Sequence, residues 1–368
     1  MRRKKTMNNP AKIEEILAAT PVCLPEWPIL TLEEIADGLT KAENVLILTH
    51  VNPDGDCIGS AFALKEILFA MGKNAAVLSP SELPKRLRFL CGDQQSLALD
   101  SVDVDTFDLI LSLDVASPMQ LGELAVLIPR IDWMIDHHGM GETYARNYID
   151  PNASAAGEIV YAIYQKLKER GAVGKCPEAA RRMYAAIVSD TGSFKFSNTT
   201  PDTHITASVL LDEINTADDG GMDASDVCRS LFGQRTLKEL TAQMLAIQNL
   251  RFYEDGALGA VIFTQQMLAD AGLTEEEIGN VVDTPRGVEG VLVGISLRQL
   301  AADPTQYKVS SRANAEIDCA AVCAAFGGGG HIRAAGCTVT ADTPEEALDM
   351  MAQAFGEAVR AYVQAKKG

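Results

Sequence analysis

Residues 45–60 read VLILTHVNPDGDCIGS. Four apolar residues of strand type run toward His50, Pro53 and Gly55 mark a turn, and Gly59-Ser60 opens the helical stretch AFALKEILFAMG (61–72). A buried strand followed at once by a helix is the repeating unit of a parallel sheet. Further strand-type and helical runs follow in AAVLS (75–79), LILSLD (109–114), WMIDHH (133–138) and GEIVYAIYQKLKERG (157–171). The first half of the chain is therefore expected to be an α/β domain, a parallel sheet with helices on both faces. MYAAIVSD (183–190) suits a strand or a buried helix equally, and periodicity does not choose between them.

In open parallel sheets, ligands bind at the carboxyl ends of the strands, beside a topological switch point. His50, Asp114 and Asp136 directly follow apolar runs, His137 and His138 come next, Asp54 and Asp56 lie in the turn, and Asp190 ends its run. Three of the chain's five histidines are in this set. Any one of these acids alone reads as a helix cap or an Asp-Gly turn. Together they crowd carboxylates that repel one another and lose hydration, which a fold tolerates around cations. Histidine with oxygen-rich partners suits Mn²⁺ or Mg²⁺, and histidine tilts the choice to manganese. With no thiolate expected in the motifs, a structural zinc site is disfavoured. The set predicts a site for two divalent ions and a hydrolase. His204, in a polar helix start, reads as surface.

The chain has 368 residues, 50 acidic against 32 basic side chains, and a net charge of −18. That balance argues against binding long duplex nucleic acid, which needs a basic surface, but bound cations can still admit a short anionic substrate. The apolar runs are too short to span a membrane, and the basic start has no apolar segment behind it. Eight scattered cysteines suggest reduced thiols and a cytoplasmic protein, with Cys319 and Cys323 packing on one helix face. Residues 1–30 read as an extension with a helix at 11–19. Thr31 and Glu34 form a capping box. A catalytic domain over 31–222, a linker helix over 223–250 and a second domain over 251–368 follow. The second domain is expected to mix strands (258–263, 290–297, 307–312, 336–340) with helices capped by Thr274 and Thr343.

In that second domain, Gly327 to Gly330 precede His331 and follow the Ala-rich helix IDCAAVCAAF (317–326). Helix termination needs one glycine, so the others suggest backbone amides approaching an anion. No Gly-Lys-Ser/Thr follows, so this is not a Walker loop. Arg312 ends the strand KVSSR and is a candidate fork for phosphate or carboxylate.

The motifs HVNPDGDCIGS, LILSLD, DHHG and SDTGSF, in that order, resemble those of the DHH phosphoesterase superfamily, and GGGGHIRAAG (327–336) resembles the signature of the associated DHHA1 domain. The resemblance covers the chain from about residue 30. It implies a DHH catalytic domain, a smaller mixed α/β DHHA1 domain, and an active site in the cleft between them. It implies two Mn²⁺ ions, with Mg²⁺ or Co²⁺ as substitutes. His50, Asp54 and Asp114 would hold one ion. Asp56, Asp114, His137 and Asp190 would hold the other, with Asp136 orienting His137. His138 would face the scissile phosphate, making it catalytic with the bridging Asp114. Arg312, Gly328, Gly329, Gly330 and His331 would bind substrate; where the family often has Arg-Ser, this chain has Arg312-Ala313. The implied activity is hydrolysis of short oligoribonucleotides or linear dinucleotides to mononucleotides, and of 3′-phosphoadenosine 5′-phosphate (pAp) to AMP. A cyclic-dinucleotide phosphodiesterase of the c-di-AMP type is the alternative, and a nucleotide-binding sensor the non-enzyme alternative. A homodimer is compatible with these readings.

Overall fold

The computed structural model describes residues 27–92, 96–279 and 281–367. The helix expected at 11–19 lies outside them. The described chain divides into two compact units that meet in sequence at Gln234 and Arg235.

The first unit is built on five parallel strands, β1 (Asn44–Leu48), β2 (Asn74–Leu78), β3 (Leu109–Leu113), β4 (Trp133–Asp136) and β5 (Arg146–Ile149). Their order is β2-β1-β3-β4-β5. The chain leaves β1 in one direction for β2 and returns on its other side as β3, so the switch point lies between β1 and β3. His50 and Asp114 stand just past the carboxyl ends of these two strands. β5 reads RNYI and has no apolar run to announce it.

Both sheet faces are covered, by different means. Val45, Ile47, Val77, Leu111 and Ile135 pack beneath the α-helices: α1 (Leu32–Lys41), α2 (Gly55–Ala70), α3 (Ala156–Glu169), α4 (Pro177–Asp190) and α5 (Pro201–Asn215). Leu46, Leu48, Leu78, Ile110 and Met134 face the other way, beneath Leu121, Leu124 and Leu127 of the 3₁₀ segment Pro118–Arg130. Gly122 at φ +53° and Pro129 keep that segment from becoming an α-helix.

MYAAIVSD belongs to α4, not to a strand. Residues 179–188 of α4 are all buried, which is why no amphipathic period shows. Three helices meet at small residues: a Cβ on Gly59 would lie 2.7 Å from the Arg182 carbonyl, and one on Gly157 would lie 2.6 Å from Ala186 Cβ. These contacts bring the starts of α2 and α3 against α4.

The linker helix expected over 223–250 is not continuous. α6 (Ala224–Cys228) passes into a wide helical turn ending at Gly233, and α7 (Leu237–Gln248) starts afresh. The cause is Thr236, whose hydroxyl accepts the Glu239 amide while Glu239 reaches back to the Thr236 amide.

The second unit carries β6 (Arg251–Tyr253), β7 (Leu258–Phe263), β8 (Val293–Gln299), β9 (Gln306–Ala313), β10 (Gly329–His331) and β11 (Ala334–Thr340), ordered β10-β11-β9-β8-β7-β6. Only β7 and β8 pair in parallel. Short helices α8 (Gln265–Asp270) and α9 (Asp283–Arg286) follow β7. One face of the sheet packs on α10 (Cys319–Ala324) and α11 (Pro344–Lys367), with Cys319 and Cys323 both fully buried there. Among the described residues no helix is long and apolar enough to cross a membrane.

Candidate metal centre

Each acid of the first unit is fixed by local structure before any ion is considered. Asp54 is the N-cap of α2: its Oδ1 accepts the amides of Asp56 and Cys57, both at 3.0 Å. Asp56 is buried in the next turn, where Oδ1 accepts from the Ser60 hydroxyl (2.9 Å) and the Gly157 amide (3.0 Å) and Oδ2 from the Ala156 amide (2.7 Å). Those two amides are the free N-terminal donors of α3, so the helix end favours the ionised carboxylate. Asp114 leaves β3 with φ +60°, a left-handed conformation that costs a non-glycine residue about 1 kcal/mol or more. Asp190 ends α4, where Asn198 Nδ2 donates to its carbonyl (3.2 Å) and Oδ2 (3.3 Å) and to the Ser154 carbonyl (2.9 Å).

The histidines converge on these acids. His50 Nδ1 lies 2.8 Å from the Val51 carbonyl and His137 Nδ1 lies 3.2 Å from the Ala153 carbonyl. Donation there leaves each Nε2 as the ligating atom. His50 Nε2 is 3.7 Å from Asp114 Oδ2 and 4.0 Å from Asp54 Oδ1. His137 Nε2 is 3.6 Å from Asp114 Oδ1, 3.6 Å from Asp56 Oδ2 and 3.8 Å from Asp190 Oδ2. The two oxygens of Asp114 thus face two different imidazoles.

The residues fit cations on three counts. The Nε2-to-oxygen gaps are too long for hydrogen bonds, but donors bonded to one ion at about 2.1 Å stand about 3–4.2 Å apart across angles from 90° to 180°. Asp114 Oδ1 is buried with no hydrogen-bond partner, a cost that an added cation removes. Without one, the carboxyls resist ionising. Burial, then the charge of Asp56, pushes Asp114 well above the carboxylate range; burial also raises Asp56; and burial followed by Asp56 brings Asp190 to about 7.

One expected contact is corrected. Asp136 does not touch the His137 ring: its Oδ1 accepts the His137 amide (2.8 Å) and lies 2.8 Å from His138 Nδ1. The single residue between Asp136 and His138 lets the carboxylate curl back onto the second imidazole, while Ala153 serves the first. Donating to Asp136 raises the pKa of His138, which is partly exposed. Cys57 also stands at the motif, as a thiol and not a thiolate. Its ligating atom lies within 4.8 Å of those of His50 and Asp114. Burial holds it protonated, donating to the Leu113 carbonyl at 3.7 Å. Asn198 and the Ala153 carbonyl are supports that sequence reading did not find. His204 is exposed as expected, stacked on Phe194.

In the second unit a cavity of about 650 Å³ is lined by Arg312, Lys308, Ser310 and the glycine loop. The loop is only partly a cradle. The amides of Gly327 and Gly328 are spent on the carbonyls of Ala324 and Cys323, closing α10. A Cβ on Gly328 would lie 2.2 Å from the Gly336 carbonyl, and one on Gly330, at φ +142°, 2.5 Å from that of Ala334. Gly327 and Gly329 have open space around them, Gly327 at φ +72°. The Gly328 amide is therefore not a free donor, contrary to the expectation of a cradle, because the loop doubles as a helix cap. Among the described residues, Arg312 Nη1 bonds only its neighbour's carbonyl, that of Ser311 (2.9 Å).

Comparison with known proteins gives the family. The family described as DHH family, N-terminal domain, matches residues 44–187, and the DHHA1 domain matches residues 259–359. The chain belongs to the DHH–DHHA1 family of phosphoesterases and is a hydrolase of phosphoester bonds. It is 29% identical over 327 residues to the bifunctional oligoribonuclease and PAP phosphatase NrnA of Thermus thermophilus, covering 88% of this chain and 93% of that protein. It is 24% identical over 349 residues to the cyclic-di-AMP phosphodiesterase GdpP of Bacillus subtilis, covering 89% of this chain but 49% of that one. Its fold matches that of an exopolyphosphatase-related protein from Bacteroides fragilis, with a TM-score of 0.78 at 22% identity over 92% of this chain and 97% of the other.

Proposed function

We propose that this protein is a manganese-dependent enzyme that hydrolyses short oligoribonucleotides and linear dinucleotides to mononucleotides and converts pAp to AMP. The observation that carries the reading is Asp114, whose two oxygens each face a different histidine. In this proposal His50, Asp54 and Asp114 hold one divalent ion, and Asp56, Asp114, His137 and Asp190 hold the second. Bound there, the ions supply Lewis acidity and make hydroxide available near neutral pH. Manganese suits two imidazoles among four carboxylates, with Mg²⁺ or Co²⁺ as substitutes.

The side chains supply the rest. Asp136 keeps the proton of His138 on Nδ1 and orients the ring, and the same hydrogen bond raises the pKa of the imidazole, favouring its charged form. His138 then passes its other ring proton, from Nε2, to the leaving oxygen. Arg312, Gly329, Gly330 and His331 bind a substrate phosphate, with Gly328 shaping the loop. The near full-length likeness to an oligoribonuclease and PAP phosphatase supports the linear substrates. The likeness to a cyclic-di-AMP phosphodiesterase keeps that substrate as the second reading. Seven cysteines are free among the described residues, in keeping with work in the cytoplasm.

The test is one panel: purified protein with Mn²⁺, or with chelator, against pAp, pApA, pGpG, c-di-AMP and a 24-residue RNA. Mononucleotides from pApA and pGpG, and AMP from pAp, are expected only with the metal. Faster turnover of c-di-AMP than of pApA would favour the second reading. Binding without turnover of any substrate would leave the sensor.

A further inference from the structure

α10 and β11 each place a cysteine beneath the glycine loop. Cys323 lies in the last turn of α10, Cys337 stands opposite Val309 on β11, and both belong to the core of the second unit. A buried cysteine is ordinarily a small apolar side chain. Here two thiols from separate elements meet: they hydrogen-bond to each other, Cys337 donating, and Ser311 Oγ stands 3.8 Å from Cys323 Sγ. The bond from Cys337 brings the Cys323 thiol down to about 7 against the effect of burial, and giving it holds Cys337 up. Cys323 thus has thiolate character at neutral pH. Cys337, 7% exposed, lines the cavity of the glycine loop, whereas Cys323 is fully buried.

The loop rests on both residues. The Gly328 amide donates to the Cys323 carbonyl (3.0 Å), and a Cβ on Gly328 would lie 2.5 Å from Cys337 Cβ. A change in the separation of the two cysteines therefore moves the backbone on which Gly328 sits, at a position with no slack.

We propose that Cys323 and Cys337 form a reversible disulfide that weakens the phosphate-binding loop, with a small peroxide as oxidant and a dithiol as reductant. Peroxide arrives by the cavity. The Cys337 sulfur attacks one peroxide oxygen: S–O forms, O–O breaks, and the leaving hydroxide takes the thiol proton as water. The Cys323 thiolate then attacks the sulfenic sulfur: S–S forms, S–O breaks, and the second hydroxide leaves as water with the proton that Cys323 gave up. Two thiols are oxidised and one peroxide is reduced to two waters. A dithiol reverses the bond by exchange and itself becomes a disulfide. The sulfurs close from hydrogen-bond distance to about 2.05 Å, so the end of α10 and β11 draw together under Gly328 and the loop shifts. The proposal rests on the reading that this loop binds a substrate phosphate, and it assigns the loss to binding, since the metal ligands belong to the first unit.

The test treats the full chain with hydrogen peroxide under chelator, removes the peroxide with catalase, and assays pApA after Mn²⁺ is added. Three results are expected: a linked Cys323–Cys337 peptide lacking two hydrogens in the mass spectrum, faster amide exchange over residues 326–330, and a KM about tenfold higher with kcat within about twofold. Dithiothreitol should reverse all three. Cys337→Ala should keep its KM through the same treatment, and Cys319→Ala should respond as wild type does. Peroxide that oxidises other thiols, or pairs them differently, while Cys323 and Cys337 remain free would overturn the switch. So would the mapped disulfide with unchanged KM and exchange, or an equal rise of KM in Cys337→Ala. Were Cys337→Ala not to fold, the wild-type peptide map, exchange and reversal by dithiothreitol decide alone. Failure of the functional reading looks different: reduced wild type with Mn²⁺ would leave pApA intact, while the disulfide and the faster exchange would still appear.

Discussion

Asp56 and Asp190 face the same imidazole but are held very differently. Asp56 has two helix amides and a hydroxyl, whereas the Asp190 carboxylate has one side-chain donor, Asn198. Removing that donor should loosen the ligand without moving the sheet. Asn198→Ala is expected to weaken divalent-ion binding by about 10–100-fold, the usual effect of losing a ligand's supporting partner. Calorimetric titration with Mn²⁺ checks this, and unchanged affinity would refute it. Asp114 makes the complementary case. Its buried carboxyl is a burden without metal and indispensable with it. Asp114→Asn should therefore raise the melting temperature of the metal-free protein while lowering ion uptake, both readable on one preparation. The ligand residues were legible in the sequence because acids and imidazoles recur where apolar runs end. Their supports were not: Asn198 reaches Ser154 across 44 residues, a meeting fixed only by how α4 lies on α3.

Elements whose signal is local were legible, and those shaped by tertiary contact were not. β1, β3 and β4 are apolar runs ended by the site residues, and the capping boxes at Thr31 and Thr274 form as read. α4 shows no period because it is buried on every side, and the 3₁₀ cover of the sheet has no periodic signature at all. The box at Thr236 was legible in principle, and it breaks the expected linker helix. The glycine loop separates two roles at neighbouring positions. A methyl on Gly328 meets backbone that cannot yield, whereas one on Gly329 meets nothing. Gly328→Ala should cost about 1–3 kcal/mol of stability and Gly329→Ala under about 0.5 kcal/mol. Denaturant midpoints compare the two; equal losses would mean that the loop does not pack as described.

At the scale of the whole molecule, an excess of acid is bearable because ions and protons share the work of neutralising it. Asp190 titrates at about 7 in the fold against an ordinary 3.8, and Asp56 and Asp114 are also raised. Between about pH 4 and pH 7 the folded, metal-free chain therefore holds more protons than the unfolded chain. Its stability is fullest below that window and falls as pH rises through it. Metal reverses the slope. Ligands must shed protons to bind, so Mn²⁺ affinity grows with pH, and a bound ion stabilises the fold in proportion to the logarithm of its saturation. Melting curves recorded from about pH 5 to about pH 8 should fall with pH under chelator, and the stabilisation by Mn²⁺ should widen steadily over the same range. If the two curves run parallel, the carboxyls that are raised in the metal-free fold are not the ones that take up the ion.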